Sequence, residues 1–194
     1  MALLDKFVEF LFVENDRQNL VAAQSLATVW NRHIADSIQL LAISPKPTSS
    51  WIDLGTGAGF PGLIVGLLHS GPVTLVEERA KRIDFLQRAA RLLRMDDRTE
   101  IVGKRVETLP PRPFDVISAR AFAPLDRLLA LGERFVSPAT RWVLPKGRNA
   151  KSELEAVRAS WQGEFRLVPS VTDDDAQIIV AERVRQRGQG KQKQ

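Results

Sequence analysis

The chain contains no cysteine among its 194 residues and only two histidines. The missing thiols exclude disulfide bonds, cysteine-ligated zinc, iron–sulfur clusters and every mechanism that needs a thiolate nucleophile. His33 and His69 are far apart in the sequence and have no cluster of further ligands around them, so we expect no metal site. A chain without cysteine also fits a reducing compartment.

Long apolar runs are missing as well. No stretch of roughly eighteen apolar residues, the length of a membrane-spanning helix, occurs in the sequence. Asp5, Lys6 and Glu9 interrupt the apolar residues at the start of the chain. We therefore expect neither a membrane span nor a signal peptide, and we expect a cytoplasmic protein.

The positive charge is concentrated at the end of the chain. The 28 lysines and arginines exceed the 23 aspartates and glutamates by five, and residues 183–194 hold five basic residues and no acidic one. Residues 1–182 are therefore neutral in sum, and their apolar and charged content is typical of a folded globular domain. We expect residues 186–194 to form a disordered basic tail.

The spacing of apolar residues changes along the chain. Helical spacing covers residues 2–12, 20–30 and 34–43, which predicts a helical extension over residues 1–48. From residue 49 to 185, short apolar runs alternate with helical stretches, which predicts an α/β domain with a doubly wound, mostly parallel sheet. The predicted strands are 51–54, 73–76, 100–102, 114–118 and 142–144, with helices near 62–70, 80–94, 125–136 and 150–161 and an edge hairpin of 164–168 and 177–184.

A glycine-rich turn follows the first predicted strand, with glycines at positions 55, 57 and 59. Glycines at alternate positions let the backbone turn sharply and approach a ligand, although a tight turn without a ligand is the alternative. The dinucleotide fingerprint would need a glycine at Phe60, and no lysine follows as in a phosphate-binding loop. Glu77 ends the next strand, where a carboxylate can accept hydrogen bonds from ribose hydroxyls. The pattern predicts a cofactor with a ribose but without a pyrophosphate.

Asp53, the turn and Glu77 together resemble the class I S-adenosylmethionine-dependent methyltransferases. Five further segments narrow the resemblance: 19–20 (NL), 30–37 (WNRHIADS), 60–62 (FPG), 118–121 (SARA) and 145–147 (PKG). With them, residues 3–185 resemble the bacterial 16S ribosomal RNA guanine-N7 methyltransferases, also called glucose-inhibited division protein B. Glu14 departs from this family, which often has an aromatic residue there.

The resemblance implies a Rossmann-like sheet of seven strands, S-adenosylmethionine as cofactor with S-adenosylhomocysteine as product, and methylation of a guanine N7. It implies 16S ribosomal RNA or the small ribosomal subunit as partner; we also expect no membrane contact and a monomer. It implies that the methionine part of the cofactor lies along Gly57 and Gly59 and that Glu77 binds the ribose. It also implies that the loop after the third strand contacts the adenine. The implied cofactor residues are Asp53, Gly55, Gly57, Gly59, Phe60, Glu77, Val106, Glu107 and Arg120.

Basic residues near the ends of the fourth and fifth strands are candidates for RNA contact. Arg120 suits a carboxylate, phosphate or guanine edge, with a structural ion pair as the alternative, and Lys146 could bind phosphate or be solvated. Arg141 and Lys151 join Lys146 and Arg148 in a basic cluster expected at the same end of the sheet.

Arg88 falls on a helix face expected to be solvated. For His33 we favour packing against Asp36 and Ser37 over substrate contact. The RNA candidates are Arg32, His33, Arg82, Arg120, Lys146 and Arg148, and contact with the cofactor is the alternative for Arg82.

The absence of an acid–base pair also bears on the reaction. Enzymes that methylate exocyclic amines commonly carry an acid or Asn before Pro-Pro and an aromatic after the fourth strand, which this chain lacks. Guanine N7 has an in-plane lone pair and no proton, so it needs alignment rather than a general base, and Arg120 and Lys146 are candidates for orienting it. The alternatives are a methyltransferase for another RNA, a protein or a small molecule, and an RNA-binding module with a vestigial pocket.

Overall fold

A computed structural model describes residues 2–188. Seven strands form one sheet in the order β3-β2-β1-β4-β5-β7-β6. Strands β1 to β5 are parallel, and β7 runs antiparallel between β5 and β6. The predicted doubly wound sheet is confirmed. The strands are β1 (Trp51–Leu54), β2 (Val73–Val76), β3 (Thr99–Val102), β4 (Val116–Ser118), β5 (Arg141–Lys146), β6 (Trp161–Pro169) and β7 (Gln177–Gln186).

Helices cover both faces of the sheet because successive strand residues point to opposite sides. Trp51 and Leu75 face one cluster, which α1, α4 and α5 complete, while Ile52 and Trp142 face the other, which α6 and α7 complete. The sheet order reverses at β1, which lies between β2 and β4, so a ligand crevice is expected at the carboxyl ends of these strands. The helices are α1 (Ala2–Gln18), α2 (Ala23–Leu26), α3 (Asp36–Ile38), α4 (Gly62–Leu68), α5 (Ala80–Leu92), α6 (Leu125–Gly132) and α7 (Ala150–Val157).

The segment between α1 and β1 is less regular than predicted. The two expected helices at 20–30 and 34–43 are replaced by short pieces: α2, a π-helix at Trp30–Ala35, α3 and a 3₁₀-helix at Gln39–Ile43. Side chains of this segment bond to distant loops, as Asn31 does to the Thr172 carbonyl. These long-range bonds fix the segment in a shape that local helical periodicity does not predict, and π-helical turns are common at functional sites.

Two basic residues have a different setting from the one expected. Arg88 is not on a solvated face, because its guanidinium donates to the buried Glu14 carboxylate at 2.6 Å. Arg141 begins β5 and therefore lies at the amino end of the sheet, where it pairs with Glu182 and donates to the Ile43 carbonyl. Arg141 thus does not belong to the basic cluster at the carboxyl end.

The end of the described chain also corrects the boundary of the expected tail. Gln186 belongs to β7, and the Arg187 amide and guanidinium donate to the carbonyls of Ser160 and Arg158 at 2.7 and 2.9 Å. Residues 189–194 of that tail lie outside the described residues. Among residues 2–188, no helix is long and apolar enough to cross a membrane, and no group of three or more acidic or histidine side chains could hold a metal ion.

Candidate functional site

The glycine turn after β1 is built from left-handed residues. Gly55, Gly57 and Gly59 have φ of +65°, +59° and +85°, a region that favours glycine because a Cβ is strained there. A Cβ on Gly55 would lie 2.1 Å from the Phe122 ring, and one on Gly59 would lie 2.2 Å from Leu63. At Gly57 the nearest atom to such a Cβ is Arg82 Nη1 at 3.6 Å. A side chain at Gly55 or Gly59 would therefore collide with neighbouring residues, whereas Gly57 has an open face.

Asp53 holds this turn from behind. Its side chain is fully buried, Oδ2 accepts the Gly62 amide at 3.0 Å, and Oδ1 accepts the Ser118 hydroxyl at 2.6 Å. Burial raises the pKa of Asp53 to about 6. Because no part of the carboxyl is exposed, the implied cofactor contact of Asp53 is corrected to a positioning role for the turn and the start of α4.

Phe60 is also placed beneath the site rather than in it. Its ring is 3% exposed, stacks on His33 with 4.8 Å between ring centroids, and meets Phe7 edge to face at 5.8 Å. The Phe60 ring therefore joins the turn to α1 and to the π-helical segment and does not line the turn cavity described below, while its cofactor contact stays a prediction.

Glu77 links the turn to the end of β2. One carboxylate oxygen accepts the Gly57 amide at 3.1 Å, and the other accepts the amides of Glu78 and Arg79 at 2.9 Å each. Arg82 Nη1 lies 3.5 Å from the first oxygen. The Glu77 side chain is 5% exposed and lies beside the open face of Gly57.

A cavity of about 450 Å³, here called the turn cavity, opens at these residues. Gly55, Val76 and Glu77 line one side of it, and Val106 and Glu107 line the other. The structure thus brings together four of the residues predicted to bind a cofactor, Gly55, Glu77, Val106 and Glu107. Arg82, for which RNA contact and cofactor contact are both expected possibilities, lines the same cavity near the start of α5.

A second cavity of about 860 Å³, here called the crevice, lies beside the turn cavity. It is bounded by the helical extension, by the loop after β4 and by the end of β5. Ala121, Phe122 and Ala123 line both cavities, so this short loop separates them. The candidates Arg32, His33, Arg120 and Lys146 all line the crevice.

Arg120 is the centre of a hydrogen-bond network in the crevice wall. One guanidinium nitrogen donates to Asp36 at 3.0 Å and to the Arg32 carbonyl at 3.1 Å, and the other donates to His33 Nδ1 at 2.9 Å. The structural alternative considered for Arg120 is therefore present. Burial lowers the pKa of Arg120 from its usual value, while Asp36 opposes that shift.

The contacts of His33 define its protonation state. A guanidinium can only donate, so Nδ1 is the acceptor and the proton is on Nε2, which donates to the Ser25 hydroxyl at 2.9 Å. Burial and the nearby Arg120 charge lower the pKa of His33 to about 4. The expected packing differs in detail, since Ser37 donates to the His33 carbonyl and Asp36 turns to Arg120.

Carboxylates pair with the other basic residues of the crevice. Arg32 donates to Asp173 at 2.8 Å, and Lys146 donates to Glu153 at 2.8 Å and to the Ala123 carbonyl at 3.2 Å. Arg148 is exposed and forms no ion pair within residues 2–188. The sequence reasoning missed Asp173, Glu153 and Phe122, and it placed Asp36 beside His33 rather than beside Arg120. The one sequence signal for Phe122 was its position, two residues after Arg120 at the ligand end of β4.

Comparison with known proteins identifies the family. The model of the family described as rRNA small subunit methyltransferase G matches residues 1–178. The chain belongs to this family. Ribosomal RNA small subunit methyltransferase G of Rhizorhabdus wittichii is 56% identical over 192 residues, covering 98% of this chain and 88% of the relative. The protein of that name from Zymomonas mobilis is 45% identical, with coverage of 96% and 87%.

Solved structures support the fold independently of sequence. An O-methyltransferase from Bacillus cereus superimposes with a TM-score of 0.63 at 15% identity, covering 92% of this chain and 91% of that one. A ribosomal protein L11 methylase from Lactobacillus delbrueckii gives a TM-score of 0.61 at 14% identity, with coverage of 77% and 76%. The chain therefore has the fold of class I methyltransferases, as its resemblance to them implied.

Proposed function

We propose that this protein transfers a methyl group from S-adenosylmethionine to N7 of a guanine in 16S ribosomal RNA. The observation that carries the proposal is the turn cavity in a chain of this family, with Glu77 beside the open face of Gly57. The substrate implies that the enzyme acts in the cytoplasm, where ribosomal subunits are assembled.

The turn cavity fits the cofactor in shape and chemistry. Glu77 offers carboxylate oxygens to the ribose hydroxyls, and the buried Val76 and Val106 offer an apolar surface to the adenine. The open face of Gly57 lets the methionine part approach the backbone. Glu107 is half-exposed at the rim and suits the outer edge of the adenine.

The crevice adjoins the turn cavity across the loop after β4, so the acceptor enters from that side. The bound cofactor supplies a methyl group activated by a sulfonium, which the in-plane lone pair of N7 can accept without losing a proton. No group of the crevice is needed as a base. His33 is bonded at both ring nitrogens, and Asp53 is fully buried away from both cavities. The chain contributes alignment and a fixed electrostatic environment.

Methyl transfer to isolated ribosomal particles tests the proposal. Small subunits from cells lacking the gene are incubated with the enzyme and tritiated S-adenosylmethionine, and N7-methylguanine is located by borohydride and aniline cleavage of the RNA. We expect label at one guanine of the 16S RNA. Label in protein or in a small molecule would contradict the RNA substrate. RNA binding that ignores the cofactor, without any label, would indicate an RNA-binding module.

The change Glu77→Gln tests the cofactor site. The side-chain amide of Gln has one acceptor oxygen where the carboxylate has two. It therefore cannot accept hydrogen bonds from the Gly57 amide, the amides of residues 78 and 79 and the ribose hydroxyls together. Loss of hydrogen bonds to a charged group costs about 1.5–3 kcal/mol, so calorimetry should show affinity for S-adenosylhomocysteine reduced about tenfold to a hundredfold. Glu155→Gln makes the same change on the exposed side of α7 and should bind like the wild type. Equal affinity of both variants would refute the role of Glu77.

A further inference from the structure

Phe122 occupies the junction of the two cavities. Its side chain is half-buried, lines both the turn cavity and the crevice, and packs directly on the backbone of Gly55. Ring atoms Cδ2, Cε2 and Cγ would lie 2.1, 2.7 and 2.8 Å from a Cβ at Gly55. The absence of a side chain at Gly55 therefore makes room for this ring.

The loop that carries Phe122 is anchored on both sides. The network of Arg120 with His33 and Asp36 fixes its start, and Lys146 donates to the Ala123 carbonyl at its end. Ala121 has a φ of +51°, in the left-handed region, which costs an alanine free energy that the surrounding contacts must supply. The loop is therefore held in one conformation that presents the ring between the cavities.

The geometry points to Phe122 as the stacking platform for the target guanine, an inference that rests on the proposed function. A methyl group delivered from the turn cavity meets its acceptor at the wall shared with the crevice, and Phe122 is the aromatic side chain in that wall. The imidazole of His33, the other ring in the crevice, is already stacked on Phe60. A base taken out of its helix exposes both faces, and stacking on an aromatic side chain is worth about 1–3 kcal/mol.

Phe122 also favours the reaction itself. As the N7–methyl bond forms and the methyl–sulfur bond breaks, the electron pair of that bond stays on sulfur and the positive charge passes to the purine. The face of an aromatic ring attracts a cationic ring more strongly than a neutral one. An interaction that strengthens as the charge arrives lowers the barrier, so loss of the aromatic ring should reduce kcat as well as raise the KM for RNA.

The test compares Phe122→Leu, which keeps an apolar side chain, with Phe122→Tyr, which keeps the aromatic face. Steady-state methylation of subunits from cells lacking the gene should show kcat/KM reduced about tenfold to a hundredfold for Phe122→Leu. Phe122→Tyr should retain activity within about threefold, and calorimetry with S-adenosylhomocysteine should give wild-type affinity for both. Phe12→Leu, at a 43% exposed phenylalanine of α1 outside both cavities, is the matched control and should not differ from the wild type.

Each other outcome overturns the proposal. A Phe122→Leu enzyme with wild-type kcat/KM would show that no base stacks on the ring, while the proposed function would stand. A loss of cofactor affinity that accounts for the whole loss of activity would make Phe122 a wall of the turn cavity only. A wild-type enzyme that leaves 16S RNA unlabelled would overturn this proposal together with the proposed function.

Discussion

The protonation state of His33 controls one of the three hydrogen bonds by which Arg120 joins the helical extension to the sheet. The imidazole accepts from the Arg120 guanidinium at Nδ1 and donates to Ser25 at Nε2, so both nitrogens are used in the neutral form. A second proton on Nδ1 would turn the acceptor into a donor facing another donor. Protonation therefore breaks the contact.

The stability of the protein should fall in mildly acidic solution because of this histidine. The pKa of His33 is lowered from 6.5 to about 4 in the folded state, so its contribution is fully present above pH 6.5 and is lost as the pH falls toward 4. The loss is at most about 3 kcal/mol from a shift of this size. Urea unfolding at several pH values between 7.5 and 4.5, compared with His33→Gln, should show a steeper decline for the wild type.

Asp53 changes its proton in the same pH window and defines the control. The raised pKa of Asp53 acts with the opposite sign to that of His33, since its stabilising effect is lost as the pH rises toward 6. The charges of Asp36 and Arg32 also face the His33 network. These contributions occur in both proteins and cancel largely in the difference. Parallel curves for wild type and His33→Gln would show that the imidazole does not change its proton on unfolding.

At the scale of elements, α1 is attached to α5 by a buried carboxylate. Glu14 is 2% exposed and accepts from Arg88 at 2.6 Å and from Arg17 at 2.8 Å, while Arg88 also lies 5.2 Å from the centroid of the Phe10 ring. Arg88 lowers the pKa of Glu14, chiefly through its hydrogen bond.

Removing this carboxylate charge should destabilise the protein. Breaking a buried pair costs about 3–5 kcal/mol, but Arg88 is partly exposed, so we expect Glu14→Gln to lower the free energy of unfolding by about 2 kcal/mol. Asp84, the other partner of Arg88, is 64% exposed, and Asp84→Asn should cost about 0.5 kcal/mol or less. Urea unfolding of the two variants measures the difference, and equal values would show that burial of Glu14 adds nothing.

The elements divide clearly into those that sequence predicts and those that it does not. Strands β1 to β5 and the helices between them were predicted to within a few residues, because burial on a sheet follows a local pattern. The structure of the helical extension was not predicted, because it depends on partners far along the chain. Arg32, for example, bonds to Asp173, 141 residues away. Gly55, Glu77 and Val106 lie together as implied, whereas the internal roles of Asp53 and Phe60 follow from burial, which a motif does not encode.

At the scale of the whole molecule, the net charge of +5 belongs to residues 183–194, while residues 1–182 are neutral in sum. Deleting residues 189–194 removes Lys191 and Lys193 and leaves β7 and Arg187 in place. We expect RNA affinity to fall a few-fold at physiological salt, and the slope of log K against log salt to decrease by about 1.5–2 at most. Filter binding at several salt concentrations measures both, and cofactor affinity should stay unchanged.

A variant with Lys191→Gln and Lys193→Gln separates charge from chain length and should match the deletion. Complete loss of methylation in either variant would show that these residues contribute to the site itself. An unchanged salt slope would show that neither lysine meets a phosphate.

The paired charges of the crevice also affect which RNA molecules can compete for the enzyme in a cell. Arg32, Arg120 and Lys146 already have Asp173, Asp36 and Glu153 as counter-ions. An RNA phosphate that replaces one of these carboxylates should therefore add little binding free energy. Abundant transfer and messenger RNAs should therefore be weak inhibitors. Only an RNA whose shape fills the crevice and delivers a base should gain enough contacts to stay bound, so the enzyme should remain available for its ribosomal RNA substrate.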